Sequence, residues 1–342
     1  MAEATPGGLV LVYSPDRGVG DLMWHLPTLR AIAATTPEGR IALATRPTTR
    51  AQALLRAEPT IAGVHYLTYH AGAFKRAREI IDFYRLCRRL KPRAVWILEK
   101  IDRPALAATL AGVPERRGFG LGHGQERWLT HRPFLPRAVR SAHRIAKLAA
   151  FEAAHGLKVE SREPALRVDP ALTQAVDAEM AGRPRPWIVF GVGASSPERR
   201  WPLARFAALA SALPSGTIFW LGGLEDAAAV AAADPQALNI SAWPLDRAAA
   251  LLAGADLFVG GDSGPMNLAA SVGCPALCLF GASAPLSYSA FITALGDGTG
   301  GMEAIGVEAA AKEAMRLLIC HPGRSSAQSR DPDALDIGLG SG

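Results

Sequence analysis

Cysteine is scarce in this chain and follows no pattern: Cys87, Cys274, Cys278 and Cys320 are the four in 342 residues, with no CxxC pair among them. Such spacing argues against a zinc ribbon or a disulfide framework, and the apolar surroundings of Cys274 and Cys278 suit reduced core thiols acting as small hydrophobes. Long apolar runs are missing too. No stretch approaches the roughly 20 residues of a transmembrane helix, and the opening MAEATPGG lacks the basic-then-apolar pattern of a secretion signal, so a cytoplasmic protein is expected. A dinucleotide fingerprint is also absent. Gly18-Val19-Gly20 runs straight into Asp21 with no third glycine, and RRGFGLGHG at residues 116–124 is not followed by an amphipathic helix. This argues against a nicotinamide-dependent oxidoreductase and makes residues 116–124 a mobile loop. A DxD occurs at Asp331-Pro332-Asp333, but its Ser-, Asp-, Gly- and Pro-rich surroundings provide no strand end from which to aim two carboxylates. Metal independence is expected, and residues 321–342 read as a disordered tail.

What is present fits a two-domain globular protein. Hydrophobic residues make up 49% of the chain and mean hydropathy is +0.12, enough to bury two ordinary cores. The net charge of +6 conceals an asymmetry: residues 1–160 hold 25 Lys+Arg against 13 Asp+Glu, or +12, and residues 161–342 hold 12 against 18, or −6. A basic half suits nucleic acid, an anionic membrane surface or a phosphorylated substrate, or else carries arginines on solvated helix faces. No nucleic-acid-binding motif accompanies the arginines, so no nucleic-acid partner is expected.

The chain is organised around residues 256–285, DLFVGGDSGPMNLAASVGCPALCLFGASAP. A short apolar run stops at Gly260-Gly261, where glycine opens φ values closed to other residues. Asp262-Ser263 then reads as a helix N-cap, with Pro265 in the first turn, Gly273 at the end and a parallel strand over 275–280. A helix opening from a glycine turn at a strand's carboxyl end suits phosphate, because free N–H groups and the helix dipole converge there. Elsewhere β and α alternate: strands at 8–14, 41–45, 64–68 and 94–98 precede an extended linker at 161–170, and further strands follow at 187–190, 217–221 and 238–241. The basic helix at 74–91 points Ile80, Ile81, Phe83, Tyr84 and Cys87 inward and leaves Arg76, Arg78, Arg85, Arg88 and Arg89 outside. The linker and the charge reversal give domains 1–170 and 171–320. In the helix after the first strand, Asp21 faces a cleft as a reactive carboxylate or serves as the N-cap, and His25, one turn later, contacts a substrate or closes the surface.

DSGPMNLAASVGCPALCLFG resembles the signature of the family 9 glycosyltransferases, the group containing the lipopolysaccharide heptosyltransferases. GVGDLMWHLPTLRAI from residue 18 and GVGASSPERRWPLARFAALASAL from residue 191 match the same family in the same order, and the resemblance covers most of residues 9–318. It implies an α/β protein of the GT-B type, two Rossmann-like parallel-sheet domains facing each other across a cleft: an acceptor-side domain and a nucleotide-sugar donor domain. It also implies an inverting transfer without cofactor, of heptose from ADP-heptose, to a lipopolysaccharide core or related anionic glycan or glycolipid at the inner membrane face. By resemblance, Asp21 is the catalytic base, with Gly20 and His25 on the acceptor side. Arg199, Arg200, Glu225, Asp262, Ser263, Gly264 and Asn267 bind the donor, Glu225 at the ribose unless it is simply a first-turn helix acid.

The chain departs from the family pattern in places. Arg199 stands where lysine is common, which keeps the charge and changes donor geometry. Asn267 stands where many members have histidine, and a cysteine-bearing segment seen in many members is missing before GMEAIGVEAA. A catalytically silent glycan- or nucleotide-sugar-binding relative is therefore the alternative to an active transferase.

Overall fold

The computed structural model describes residues 8–320 apart from 69, 123, 195, 235–237 and 287. The tail expected to be disordered, with its Asp331 and Asp333, lies outside the described residues. The chain divides into two compact units, Met1–Arg162 and Glu163–Gly342, a division just ahead of the expected boundary after residue 170.

In the first unit, β1 (Val10–Tyr13), β2 (Ile41–Thr45), β3 (Ile61–Tyr66), β4 (Ala94–Ile97) and β5 (Glu115–Gly118) form a parallel sheet ordered β3-β2-β1-β4-β5. Every residue of β1 is buried, and its unbroken apolar run is what a strand covered on both faces requires. On one face Leu11, Tyr13, Val95 and Ile97 meet Phe83, Leu86 and Cys87 from the helix Lys75–Leu90 and Ala105 and Ala108 from the helix Arg103–Leu110. On the other, the Trp96 ring packs edge-on 5.8 Å from Phe151 of the helix Arg144–His155. Ile81, expected to point inward, is instead 44% exposed.

Part of the expected mobile loop at 116–124 is β5, a strand with no large apolar residue. Its Glu115, Arg116 and Arg117 suit a sheet edge, where charge discourages further pairing. The loop after it is pinned by the buried Gln125, whose amide donates to the Glu99 and Ile101 carbonyls, both at 2.8 Å, and accepts from Gly120 N at 2.8 Å.

In the second unit, β6 (Trp187–Gly191), β7 (Thr217–Leu221), β8 (Leu238–Asn239), β9 (Leu257–Gly261), β10 (Ala276–Leu279) and β11 (Ile292–Leu295) form a parallel sheet ordered β11-β10-β9-β6-β7-β8. Alternate residues Ile188, Phe190, Leu257, Val259, Leu277 and Leu279 share one core with Phe206 and Leu209 of the helix Leu203–Ala212 and Ala314 and Leu317 of the helix Val307–Cys320. The helices Pro170–Glu179 and Ala227–Ala233 and strand β11 were not expected from the sequence. The first follows directly on the linker and is capped by Asp169, which accepts from Ala171 N at 3.0 Å.

Gly260 and Gly261 correct the expectation about φ: both lie within β9, and neither has a positive φ. Space is what demands glycine there. A Cβ on Gly260 would stand 2.7 Å from the Gly191 carbonyl oxygen, and one on Gly261 would stand 2.5 Å from that of Arg199. Cys274 and Cys278 are core thiols, as expected. Cys87 is buried as well and pushed up to about 12 by that burial, but Cys320 is exposed.

Each sheet reverses direction beside its first strand, between β1 and β4 and between β6 and β9. Doubly wound sheets bind ligands outside the carboxyl ends of their strands at such a point.

One half-buried histidine gives a pH prediction. Burial, helped by the Arg117 guanidinium, pushes the His155 ring down to about 4, and the ring lies 4.4 Å from that of Phe151. The unfolded chain therefore takes up this proton first, near its ordinary value of about 6.5. Stability should fall as pH drops from about 6.5 to 4, the window in which only the unfolded state is protonated. Urea midpoints across that range should fall less steeply for His155→Phe than for the unsubstituted protein. Parallel curves would assign the acid sensitivity to other groups.

Candidate functional site

The first unit gathers a set of charged groups in the loop after β1. Asp16 is fully buried, and its carboxylate accepts from Ser14 Oγ at 2.8 Å and Arg144 Nη1 at 2.7 Å, with His25 Nδ1 at 3.0 Å. His25 Nδ1 also lies 2.8 Å from the Asp21 carbonyl. Both of its neighbours are acceptors, so Nδ1 carries the proton. His25 Nε2 is buried with no partner among the described residues.

Asp21 occupies the first turn of the helix Val19–Ala33, which runs on through Pro27. The N-cap is Gly18, which corrects the reading of Asp21 as the cap. Asp21 Oδ2 accepts from Arg17 N at 3.0 Å and lies 3.9 Å from Arg144 Nη1. Among the described residues Oδ1 has no hydrogen-bond donor, and the side chain is 33% exposed. The result is an oriented carboxylate with one oxygen held and the other open, next to the carboxyl end of the central strand. Gly20 is half-buried in the same turn. His25 neither reaches the surface nor closes it: it is fully buried and braces the Asp16 loop against the helix.

In the second unit the loops after β6 and β9 meet. Arg199, at the end of the short 3-10 turn Pro197–Arg199, donates from Nη1 to Asp262 Oδ2 at 3.3 Å and keeps 38% of its side chain exposed. Ser263 caps the helix Gly264–Ser271, its Oγ accepting from Met266 N at 3.5 Å. Pro265 has no N–H, so Gly264 N is the first-turn donor left open among the described residues, at the positive end of the helix dipole. An anion placed there would meet Gly264 N–H, Ser263 Oγ and the Arg199 guanidinium.

Arg200 is occupied differently. It donates to the Ala194 carbonyl from Nε at 3.3 Å and Nη2 at 3.1 Å, and from Nη1 to Asp226, whose Oδ2 accepts from Gly223 N at 2.8 Å. The expected donor contact is thus a strut between the loops after β6 and β7. Glu225 lies 3.9 Å from Arg200 with 71% of its side chain exposed, open to a ligand. Asn267 is buried at 5% exposure: its amide donates to the Ser263 carbonyl at 2.8 Å, and its oxygen accepts from Tyr288 Oη. Burial, with Cys278, Asp262 and Glu163 nearby, holds the Tyr288 phenol well above its ordinary value, so it remains a neutral donor.

The structure thus brings Gly20, Asp21 and His25 together in the first unit, and Arg199, Asp262, Ser263, Gly264 and Asn267 in the second, with Arg200 turned away toward Asp226, and Glu225 on the loop after β7. Asp16, Arg144, Asp226 and Tyr288 were missed. Asp16 carried a usable signal, an acid directly after an apolar strand, and so did Asp226, next to Glu225 in a glycine turn. Arg144 and Tyr288 carried none. Among the described residues, no group of three His, Cys, Asp or Glu could hold a metal ion.

The family model described as glycosyltransferase family 9 (heptosyltransferase) matches residues 84–297, well over half of the chain. That span contains all the second-unit residues above and not Asp21. No curated protein matches the chain. Among solved structures, a family 9 glycosyl transferase from Veillonella parvula is 20% identical, with a TM-score of 0.74 over 91% of this chain and 97% of its own. The E. coli ADP-heptose lps heptosyltransferase II is 22% identical, with a TM-score of 0.71 over 91% and 99%. The E. coli heptosyltransferase WaaC with ADP-2-deoxy-2-fluoro heptose is 16% identical, with a TM-score of 0.68 over 90% and 99%. At these identities the likeness establishes the fold, the two parallel-sheet α/β domains of GT-B-like glycosyltransferases.

Two substitutions test the framework of these loops. Gly261→Ala places a methyl group against the Arg199 carbonyl, so the Arg199 main chain must move; urea denaturation should show a loss of about 1–3 kcal/mol. Asp16→Asn takes the buried anion from Arg144 and His25. Because Arg144 is partly exposed, the expected loss is also about 1–3 kcal/mol, and an unchanged midpoint would mean that the cluster contributes nothing to the loop.

Proposed function

The chain belongs to glycosyltransferase family 9, and from that membership we propose that this glycosyltransferase moves heptose from ADP-heptose to an anionic glycan acceptor of the lipopolysaccharide-core type. The transfer inverts the anomeric centre and needs no metal. The reaction takes place in the cytoplasm, with the enzyme peripheral to the inner face of the membrane, where a glycolipid acceptor is presented. The donor assignment draws on the structural relatives, one described as an ADP-heptose heptosyltransferase and another with a fluorinated ADP-heptose.

The observation that carries the reading is the open oxygen of Asp21, oriented through Arg17 N at a strand's carboxyl end. An acceptor hydroxyl attacking the anomeric carbon must lose its proton as the new bond forms, and a fixed carboxylate with a vacant lone pair can receive it. The diphosphate leaves with growing negative charge. Arg199, the Gly264 N–H and Ser263 Oγ stabilise that charge, held in adjoining loops by the Arg199–Asp262 contact and the Ser263 cap before the reaction begins. Asp262 holds the Arg199 fork, Arg200 holds the loops, and exposed Glu225 receives the ribose hydroxyls. Asn267 acts through Ser263 and does not contact the donor. The basic first unit attracts the anionic acceptor.

The two residue sets should fail differently when substituted. Asp21→Asn keeps the shape and removes the proton acceptor, so turnover should drop by roughly 10²–10⁴ while donor affinity, measured by calorimetry, barely changes. Arg199→Ala removes a charge-assisted contact worth about 1.5–3 kcal/mol, so donor affinity should weaken about tenfold to a hundredfold and turnover should fall with it. These assays are run in excess EDTA with a panel of ADP-, GDP- and UDP-sugars. Near-normal turnover in Asp21→Asn would sink the mechanism, a need for added Mg²⁺ or Mn²⁺ would overturn metal independence, and preference for another nucleotide would replace the donor.

A further inference from the structure

We propose that the outer face of the helix Lys75–Leu90 is a docking surface for an anionic lipid bilayer. At about 100° per residue, Phe74, Arg78, Ile81, Arg85, Arg88 and Arg89 fall within an arc of roughly 100°. All of these are exposed, Phe74 by 72% and Ile81 by 44%. The opposite side of the helix is fixed to the unit by the buried Phe83, Leu86 and Cys87, so the cationic arc can only face outward. The acids of the helix lie off that arc and are engaged. Glu79 pairs with Arg103 at 2.6 Å and Lys75 at 3.9 Å, and Asp82 pairs with His70 at 2.6 Å and, at 4.0 Å, with Arg85.

The choice of a bilayer rests on the apolar members of the arc. A nucleic acid or a soluble phosphate rewards arginines but gives little return for Ile81, whereas the boundary between headgroups and acyl chains takes both kinds of side chain at once. Phe74 and Ile81 stand about 10 Å apart along the axis. A helix lying parallel to the surface would insert both while the arginine stems lie along the apolar layer and their guanidinium groups reach the lipid phosphates. The inference rests on the reading above for its setting, since the acceptor proposed there is a glycolipid, and deepens it by naming the surface.

The test uses the full chain in co-sedimentation with vesicles of phosphatidylcholine, with and without phosphatidylglycerol. The protein should partition onto the anionic vesicles alone, and added salt should weaken the binding. Arg85→Ala/Arg88→Ala/Arg89→Ala should lower the partition coefficient by about a hundredfold, at roughly fivefold per arginine. Phe74→Ser/Ile81→Ser should lower it at every salt concentration. Unchanged melting temperatures in both variants would show that they fold. Equal binding to neutral vesicles, undiminished binding by either variant, or full displacement by duplex DNA would overturn the proposal. Transfer to a soluble, delipidated acceptor separates the two readings: if the unsubstituted protein fails there but binds anionic vesicles as described, the transferase reading falls and the docking surface stands.

Discussion

The arrangement of the second unit depends on how closely two stretches of backbone approach at the carboxyl end of β9. Gly260 pairs with Gly191 in register, and the Gly261 backbone lies against the Arg199 carbonyl with no room for a side chain. That contact turns the chain after β6 back over the end of its neighbour. The Arg199 side chain then meets Asp262, and the helix capped by Ser263 opens beside it. The Gly261 contact fixes the Arg199 main chain and Asp262 holds one arm of its guanidinium, which lowers the freedom that group loses when it meets an anion. Preorganisation of this kind separates a stabiliser of developing charge from a merely nearby cation.

The first unit meets the same need with a buried charge in place of glycine. Removing the Asp16 carboxylate from water is costly, and only several donors at once offset that cost. Ser14, Arg144 and His25 supply them, from the strand end, the helix Arg144–His155 and the helix Val19–Ala33. A carboxylate so tied cannot release one partner without exposing the penalty of the rest, so the loop between β1 and the first helix is held in one shape. Asp21 gains its orientation from that loop through Arg17 N. Its openness follows from the same economy of donors, since Arg144 is bonded to Asp16 and stands off from Asp21 at 3.9 Å.

Much of this was legible in the sequence, and the failures have physical causes. The apolar runs of β1, β6, β9 and β10 announced themselves because strands buried on both faces need unbroken apolar sequence. Ser263 as a cap and Pro265 in the first turn follow from local chemistry and hold. β5 was hidden because its ERRG sequence is held by pairing with β4 and not by its own burial. The helix Ala227–Ala233 was hidden because an alanine run shows no apolar stripe. Most of the missed site residues act at long range: Arg144 meets Asp16 from 128 positions away, and no spacing rule reaches that far. Gly260 and Gly261 were singled out correctly for the wrong reason, since in sequence a glycine kept for space looks the same as one kept for φ.

The departures from the family pattern bear on whether the donor side is intact. Arg199 presents a planar fork where lysine would present a point charge, and one arm of the fork is spent on Asp262. The remaining arm still faces solvent, so charge and aim survive the exchange. Asn267 is buried and fully occupied, its amide on the Ser263 carbonyl and its oxygen on a phenol that burial keeps protonated. A histidine there could offer the carbonyl one ring nitrogen but could not match both contacts along the same short arm. In this chain the Asn267–Tyr288 pair supports the turn that presents Ser263 and Gly264, and the proposed mechanism assigns phosphate stabilisation to Arg199 and the helix N-terminus. On that mechanism an asparagine at position 267 leaves the proposed charge-stabilising groups in place, which favours a working transferase over a silent relative.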